Sequence, residues 1–307
     1  MSQLFSGLGS GLLPAAANPV DHVVNHSFVT VNGWWLWSAQ TGTLLLAGLL
    51  TIIVGLWLAK HVATGPESEG HDRYITKNPV AHMLEVIAGY LREQVVRPML
   101  HERTDRFMPF LWTLFFFILF NNMLGLVPLL DVALLVNKDW KSAHMAPIGG
   151  TATQNLFVTA VLAIFSGIVI NYAGVKELGV KGYLHHLTGG APRALWPLMV
   201  LIETIGIIIK PVALALRLFA NMTAGHILLA ALLGFVGSSI AGLGLLGSPI
   251  ALVAALGALA VYFLEIFVGF LQAFIFMFLT TVFISLLSHH GDEHGHDDHH
   301  AHEPAHA

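Results

Sequence analysis

The sequence predicts an all-α integral membrane protein with about five membrane helices, and its composition gives the first reason. Apolar residues make up 55% of the 307 residues and charged residues only 10%, whereas soluble domains carry roughly 25% charged residues. The mean hydropathy is +0.72, so most of the chain must face lipid or other protein. The chain has no cysteine, which excludes disulfides and thiolate chemistry. Soluble enzymes and nucleic-acid-binding proteins fit poorly, and we expect neither a nucleic-acid partner nor a cofactor.

The lengths of the apolar runs give the second reason, because one crossing of a bilayer takes about 20 residues of helix. Three runs have that length, and they are 38–59, 107–130 and 155–173. Trp34, Trp35 and Trp37 precede the first run and match an interfacial aromatic belt. The segment 1–37 lacks the basic start and the cleavage site of a signal peptide. We therefore expect it to belong to the mature protein.

Two further runs, 194–235 and 250–287, are about twice as long as one crossing requires. As continuous helices they would each reach roughly 60 Å at about 1.5 Å per residue. Helices absorb excess length by tilting, and Pro211 is a position where the first of them can kink. We expect a hairpin of two long, strongly tilted helices. Four shorter spans are the alternative, although no polar loop divides either run.

The distribution of basic residues in the loops gives the third reason and predicts an orientation. Half of the 14 Lys and Arg residues lie in 60–106, and none lies in 1–59. Cytoplasmic loops of membrane proteins are enriched in these residues. Five spans then place the N-terminus outside and the C-terminus in the cytoplasm, with 60–106 as a cytoplasmic loop.

An amphipathic helix is predicted inside the loop 60–106. Asn78 followed by Pro79 is typical of a helix N-cap and first turn. Apolar residues then recur at helical spacing, and Pro98 is expected to end the helix. We interpret it as an interfacial helix lying on the membrane. A helix that packs on the soluble part of a partner is the alternative.

Ionisable residues interrupt the two long runs, at a cost of roughly 2.5–3.5 kcal/mol each. Glu203, Lys210 and Arg217 lie seven residues apart and so share nearly one helix face, which Asn221 joins. Arg217 has no acidic residue three or four positions away, so its permanent charge predicts a carboxylate from elsewhere. Glu203 and Lys210 form either a functional pair or a structural ion pair in which the lysine reaches toward the interface.

A second polar surface is predicted on the far side of the same helix. His226 lies nine residues after Arg217 and therefore points away from it. On the last helix, Glu265 and Gln272 are seven residues apart and face one way. On adjacent antiparallel helices, His226 and Glu265 offer two groups that take and release protons. A purely structural role for this pair is the alternative.

These residues lie in stretches that resemble subunit a of the F-type ATP synthase. The four stretches are DHVVNHSF (21–28), FNNMLGLVPL (120–129), IIIKPVALALRLFANMTAGHILLAALLGF (207–235) and LEIFVGFLQAFIFMFLTTVFIS (264–285). The resemblance covers about residues 20–288 and keeps the order of the motifs. It implies a non-catalytic channel subunit in a bacterial inner membrane, with 107–288 as the channel-forming domain.

The resemblance also implies a role for each polar position. Arg217 corresponds to the essential arginine that faces the rotating ring of c subunits, with Asn221 and Gln272 as its polar neighbours. His226 and Glu265 correspond to an interacting pair in an aqueous half-channel, and Glu203 and Lys210 to polar positions nearer the cytoplasm. The implied partners are the c-subunit ring, the b subunits of the peripheral stalk, the remaining ATP synthase subunits and membrane lipid.

Two other functions remain open from the residues alone. A self-contained, ion-coupled secondary transporter would also carry charges in its spans, but we find no internal repeat of the kind such proteins often have. A structural subunit would use the buried charges only to fix its assembly. Proton transport is favoured over sodium transport because His226 and Glu265 both titrate.

The C-terminal segment 289–307 has a composition unlike the rest of the chain. It contains eight histidines, from His289 to His306, and five acidic residues. It lacks apolar periodicity, so we expect a disordered, solvated cytoplasmic tail. Metal binding or pH sensing by its histidines is the alternative, and elsewhere we expect no metal site.

Overall fold

The computed structural model describes residues 27–31, 34–62, 76–127, 148–186, 188, 192 and 195–293. Helices account for most of these residues, and five of the described helices are long and apolar enough to cross a membrane. This confirms the predicted all-α membrane class with five spans. The strong tilt of the last two helices stays a prediction. The expectations for 1–26 and 294–307 lie outside the described residues.

The chain has one feature that the all-α expectation does not include, a short antiparallel hairpin before the first helix. Strands β1 (Ser27–Val31) and β2 (Trp34–Ser38) pair with Val31 opposite Trp34 and Ser27 opposite Ser38. The tryptophans expected to form an interfacial belt thus lie on a strand. Asn32-Gly33 between two runs rich in β-branched and aromatic residues is a hairpin signal.

The first half of the helical part runs from Ala39 to Leu126. Its helices are α1 (Ala39–His61), α2 (Pro79–Tyr90), α3 (Arg97–Leu100) and α4 (Thr104–Leu126). A π-helical stretch, Leu91–Val96, connects α2 to α3, and a 3-10 turn, His101–Arg103, connects α3 to α4. The helices α1 and α4 match the first two predicted spans to within a few residues.

The start of α2 agrees with the sequence, and its end does not. The Asn78 side chain accepts hydrogen bonds from the backbone N–H groups of Val80 and Ala81, so the predicted N-cap is confirmed. Pro98, however, does not end the helix. It lies in the first turn of α3, where a missing N–H group breaks no helical hydrogen bond. The break comes at His101, whose φ of 47° no regular helix accommodates.

The second half consists of three longer helices. They are α5 (Leu156–His186), α6 (Trp196–Leu243) and α7 (Ser248–Glu293). Gly179 interrupts α5 with a φ of 68°, a conformation that suits glycine. The 48-residue α6 and the 46-residue α7 are continuous, so the alternative of four shorter spans is wrong. Pro211 lies inside α6 without dividing it, and α7 includes 289–293, the start of the expected tail.

The chain forms two compact units, and the first comprises residues up to Leu44, Asn121–Asn155 and Phe219–Phe270. Here α6 and α7 run antiparallel, since Leu232 lies beside Gly257 and Gly225 beside Glu265. The buried side chains of this unit are mainly polar. They are Ser38, Gln40, Thr43, Asn121, Asn122, Thr151, Thr153, Gln154 and Glu265.

The second unit comprises Leu45–Phe120, Leu156–Leu218 and the chain from Leu271 onward. Its core is apolar and is supplied by α4 to α7 with the region around α3. The largest fully buried side chains there are Leu91, Met108, Leu111, Phe115, Ile118, Leu214, Leu218, Phe276, Met277 and Ile284. Close helix packing in this unit depends on Gly167, because a Cβ atom at that position would lie 2.9 Å from the Pro211 ring.

Candidate functional site

His226 of α6 and Glu265 of α7 meet inside the first unit. The Nδ1 atom of His226 lies 2.5 Å from Oε1 of Glu265, and the side chains are only 16% and 4% exposed. Gly225 makes room for the carboxylate, since a Cβ atom there would lie 2.8 Å from Glu265 Oε1. The structure thus brings together the two residues that the sequence predicts to act as a pair.

Both ring nitrogens of His226 lie within hydrogen-bonding distance of backbone carbonyl oxygens. Nδ1 lies 3.0 Å from the carbonyl oxygen of Met222, and Nε2 lies 3.2 Å from that of Gly125. A carbonyl oxygen can only accept a hydrogen bond, so Nδ1, which faces Met222 and Glu265, carries an N–H group, whereas Nε2 also lies near the Thr151 hydroxyl, which can donate to it. Because Nδ1–H points toward Met222, its contact with Glu265 is an ion pair set by distance and not a well-aligned hydrogen bond.

The segment 148–155, which includes a 3-10 turn at Ala152–Gln154, contacts the histidine. The Thr151 hydroxyl lies 3.0 Å from His226 Nε2, and Thr153 donates a hydrogen bond of 3.0 Å to the side-chain oxygen of Asn122. The Asn122 amide donates in turn to the carbonyl oxygen of Gly269 on α7, at 2.9 Å. This segment therefore joins α4, α6 and α7 through polar side chains.

The same segment is bound to the start of α1. Asn155 donates a hydrogen bond of 3.2 Å to the side-chain oxygen of Gln40. The Thr43 hydroxyl and the backbone of Gly149 are 3.2 Å apart and exchange hydrogen bonds. Hydrogen-bonding side chains are therefore continuous from the beginning of α1 to the segment that contacts His226.

Several buried oxygens in this unit have no hydrogen-bond partner among the described residues, and they include both carboxylate oxygens of Glu265, Oγ1 of Thr223 and Oε1 of Gln154. Buried polar atoms are normally satisfied by protein or by ordered water. An acceptor left open beside a histidine is a place where a water molecule or a proton can bind. The arrangement is chemically suited to receiving a proton and passing it on.

Arg217 is placed differently, on the outside of the second unit. Arg217 is exposed. Two apolar residues that precede it on α6, Val212 and Leu216, are each 49% exposed. Within the part of the chain that the structure describes, no side chain forms an ion pair or a hydrogen bond with Arg217. The guanidinium thus lies on an apolar helix face without an acid of its own chain.

Among the described residues, neither of the two predicted polar neighbours of Arg217, Asn221 on α6 and Gln272 on α7, is hydrogen-bonded to it. Gln272 is buried at 3% exposure, and among the described residues its Nε2 atom has no acceptor. Asn221 is half-buried on α6 and belongs to the first unit. A buried amide nitrogen without an acceptor marks Gln272 as a group whose partner comes from outside these residues.

Glu203 and Lys210 form the pair that the sequence offers as one of two alternatives. Lys210 Nζ lies 3.4 Å from Glu203 Oε1, and the side chains are 38% and 35% exposed. The lysine also lies over the Phe283 ring, 5.3 Å from its centre.

Tyr183 lies after the kink in α5 and donates a hydrogen bond to the side-chain oxygen of Asn171. Burial and the negative charge of the Glu203 carboxylate both raise the pKa of Tyr183.

The polar network that reaches His226 through Thr151 is not predicted from the sequence. Its residues are Gln40, Thr43, Asn122, Thr151, Thr153 and Asn155. Asn121-Asn122 within a charge-free apolar run is a signal that could have identified one of them. Threonines in an irregular segment give no such signal. In the described segments no group of three or more His, Asp or Glu side chains is arranged to hold a metal ion.

The sequence of this chain is similar to those of known proteins over most of its length. A profile of the ATP synthase A chain family matches residues 41–285. ATP synthase subunit a of Myxococcus xanthus is 40% identical over 230 residues, 73% of this chain and 67% of that protein. The subunit a of Anaeromyxobacter dehalogenans is 42% identical over 221 residues, 70% of this chain and 51% of that protein. The chain therefore spans about half to two thirds of the length of these relatives.

Proposed function

The chain belongs to the ATP synthase subunit a family, a component of the membrane sector of F-type ATP synthases, and from this we propose that it is the proton-conducting stator subunit. In this proposal two offset half-channels lead from opposite sides of the membrane to carboxylates on a ring of c subunits. The b subunits of the peripheral stalk and the remaining ATP synthase subunits complete the assembly, which lies in a bacterial inner membrane.

The observation that carries the proposal is the position of Arg217. A guanidinium cannot lose its proton at any relevant pH, and an unpaired charge in hydrocarbon is costly. Arg217 is exposed on an apolar helix and has no acidic partner among the described residues. A carboxylate on a neighbouring, moving chain supplies the missing charge, which is what a ring subunit offers.

His226 and Glu265 form the inner end of the first half-channel. A proton that enters through the polar side chains of the first unit reaches Glu265 Oε2, the open acceptor beside the histidine. From there it neutralises a carboxylate of the ring. The neutral carboxyl group can then face lipid, because the cost of burying a charge is removed.

Arg217 governs the release of the proton after the ring has turned. An opposite charge within ~4–6 Å favours the ionised form of a carboxyl group, so the ring carboxyl gives up its proton near the arginine. The fixed positive charge also repels protons that would otherwise leak between the half-channels. Each proton crossing 100 mV yields about 2.3 kcal/mol, and the ring collects several such steps.

Release proceeds through a second half-channel that we assign to the region of Glu203 and Lys210. Both side chains are more than a third exposed, and in this proposal they face the water of that half-channel. Asn221 and Gln272 supply polar contacts close to the arginine in this arrangement, and the unpaired Nε2 of Gln272 is available to a ring carboxylate. The N-terminus lies outside and the C-terminus in the cytoplasm, as the loop charges predict.

Substitution of Arg217 tests the proposal directly. In inverted membrane vesicles, Arg217→Ala is expected to abolish ATP-driven proton uptake and ATP synthesis. Arg217→Lys is expected to fail largely as well, because a desolvated lysine can release its proton. Arg103→Ala, which removes an arginine from the loop before α4, is the matched control and should leave both activities near the wild-type rate.

The coupling ion and the alternative transporter are tested in the same vesicles. ATP-driven uptake that proceeds at the same rate without sodium supports proton transport, whereas uptake that requires sodium contradicts it. Normal ATP synthesis by the Arg217→Ala variant would overturn the assignment. Ion transport by the purified chain alone, without a ring, would instead support a self-contained transporter.

A further inference from the structure

A kink folds the last part of α5 back toward its first part. The kink lies at Gly179, whose φ is 68°. In a continuous helix, the 12 positions between Asn171 and Tyr183 would separate their backbones by roughly 18 Å, which is farther than the two side chains reach. Instead, the Tyr183 hydroxyl donates a hydrogen bond of 2.5 Å to the side-chain oxygen of Asn171. The kink therefore returns Tyr183 to the level of Asn171.

Contacts between α5 and α6 place this tyrosine near Glu203. Asn171 donates a hydrogen bond of 2.7 Å to the carbonyl oxygen of Gly167, and Gly167 packs against the Pro211 ring of α6. Because α5 and α6 are successive spans, they run in opposite directions. Counted from the contact of Gly167 with Pro211, Asn171 lies roughly 6 Å along α5. Glu203 lies roughly 12 Å along α6 toward the same side of the membrane.

An electrostatic effect also indicates that the two side chains are close. Burial and the negative charge of Glu203 both raise the pKa of Tyr183, and such effects fade over about 8–10 Å in salt solution. Within the described part of the chain, however, no hydrogen bond joins the phenol to the carboxylate. Polar groups that are close but not in contact are commonly bridged by water. The space between Tyr183 and Glu203 is therefore a suitable place for a water molecule.

The groups on either side of this space suit a water molecule that donates two hydrogen bonds. The phenol of Tyr183 keeps its proton at neutral pH, and that proton is already donated to Asn171. Its oxygen thus offers only acceptor lone pairs to water. The Glu203 carboxylate is the second acceptor, with Lys210 at 3.4 Å from it, and α7 contributes only the uncharged Phe283 ring to this pair.

We propose that Tyr183, held by Asn171, is a positioning residue that fixes the water molecule through which Glu203 exchanges protons with the cytoplasm. This inference rests on the proposed function, which assigns Glu203 to the second half-channel. During ATP synthesis, protonated Glu203 gives its proton to a lone pair of this water molecule. The hydronium ion so formed passes a proton to bulk water. During ATP-driven uptake the same transfers run in reverse, and the phenol keeps its O–H bond in both directions.

The test measures ATP-driven proton uptake by inverted vesicles as a function of the external proton concentration, per assembled complex. Tyr183→Phe keeps the ring and removes the oxygen that holds the water molecule. It should raise the half-saturating proton concentration about fivefold, the effect of one lost hydrogen bond, and leave the maximal rate unchanged. Tyr172→Phe makes the same change on α5 before the kink, at a position 63% exposed. This control should leave both quantities at their wild-type values.

A second variant tests whether the two α5 residues act together. Asn171→Leu removes the acceptor that orients the phenol, so it should also raise the half-saturating concentration. Combined with Tyr183→Phe, it should add little to the effect of either single change, which a double-mutant cycle measures as coupling. Fully additive effects on the free-energy scale would show that the residues act separately, against the inference.

The outcomes separate this inference from the proposed function. A wild-type proton dependence in Tyr183→Phe, with lowered uptake in Glu203→Gln, would overturn the inference alone. Normal ATP synthesis by Arg217→Ala would overturn the proposed function. A lower rate of Tyr183→Phe at every proton concentration would show that the hydroxyl only supports the fold of α5. Failure of both α5 variants to assemble would lead to the same conclusion, and either result would overturn the inference.

Discussion

The two units of this protein are built from opposite kinds of buried side chain. In the first unit the buried residues around His226 are mostly threonine, asparagine, glutamine and glutamate, and they are joined by hydrogen bonds between segments distant in sequence. In the second unit most of the buried side chains are apolar and form one hydrophobic core, and Arg217 is exposed. Each unit takes parts of the same long helices α6 and α7.

This difference indicates that the two units have different roles. A polar network in a low-dielectric setting holds protons and water at fixed places, but only if its donors and acceptors are matched. An apolar core packs densely and holds its surface groups in position. We therefore expect substitutions in the first unit to lower the rate of proton transfer. Substitutions in the core of the second unit should instead lower stability.

The largest expected effect comes from the core of the second unit. Phe276 is fully buried there. Removing a buried phenylalanine side chain typically lowers the free energy of unfolding by roughly 3–5 kcal/mol. Phe276→Ala should lower the thermal unfolding temperature and the amount of assembled complex. Proton uptake per assembled complex should stay near wild type. Phe263→Ala, at a position 64% exposed, is the control, and equal thermal stability of the two variants would contradict the description of the core.

The next effect concerns the ion pair of the first unit. Glu265→Gln keeps the shape of the side chain but removes the group that exchanges a proton. A positioned acid or base typically contributes roughly 100-fold or more to a proton-transfer step, so ATP-driven proton uptake should fall by about that factor. Stability should change far less than in Phe276→Ala, because the imidazole of His226 can release its proton and leave no buried charge.

Exchange of the two residues gives this prediction its control. In the double variant His226→Glu with Glu265→His, the same two groups again face each other, and Gly225 still provides room. The exchange should recover part of the uptake that either single variant loses, which a double-mutant cycle measures as coupling. Additive losses would show that the two residues work independently, against the 2.5 Å contact.

The sequence predicts the helices of this protein better than the polar network. Lipid leaves a chain only helices or closed barrels to satisfy its backbone, so five apolar runs identify five spans. Arg217, Glu203 and Glu265 stand out because a charge in such a run is rare. Thr151 and Gln40 do not stand out, because their contacts with His226 and Asn155 join segments about 75 and 115 positions apart.

A smaller effect should follow from the hydroxyl that contacts the histidine. Thr151→Val preserves the shape of the side chain and removes the oxygen that lies 3.0 Å from His226 Nε2. One hydrogen bond contributes about 1 kcal/mol, so proton uptake should fall about fivefold. Thr113→Val serves as the control, since its hydroxyl bonds only to its own helix in the second unit. An unchanged uptake rate in Thr151→Val would remove the segment 148–155 from the proton path.

The smallest expected effect is that of Lys210→Gln, which separates the two interpretations of the pair with Glu203. The contact is long, at 3.4 Å, and both side chains are more than a third exposed, so solvent screening limits its contribution to stability to about 1 kcal/mol or less. Uptake should fall less than fivefold, because water around Glu203 can accept the released proton without the lysine. Glu203→Gln should lower uptake more than Lys210→Gln does, since it removes the group that titrates. Equal losses of stability in both variants, with normal uptake, would show that the pair is structural and that protons leave elsewhere.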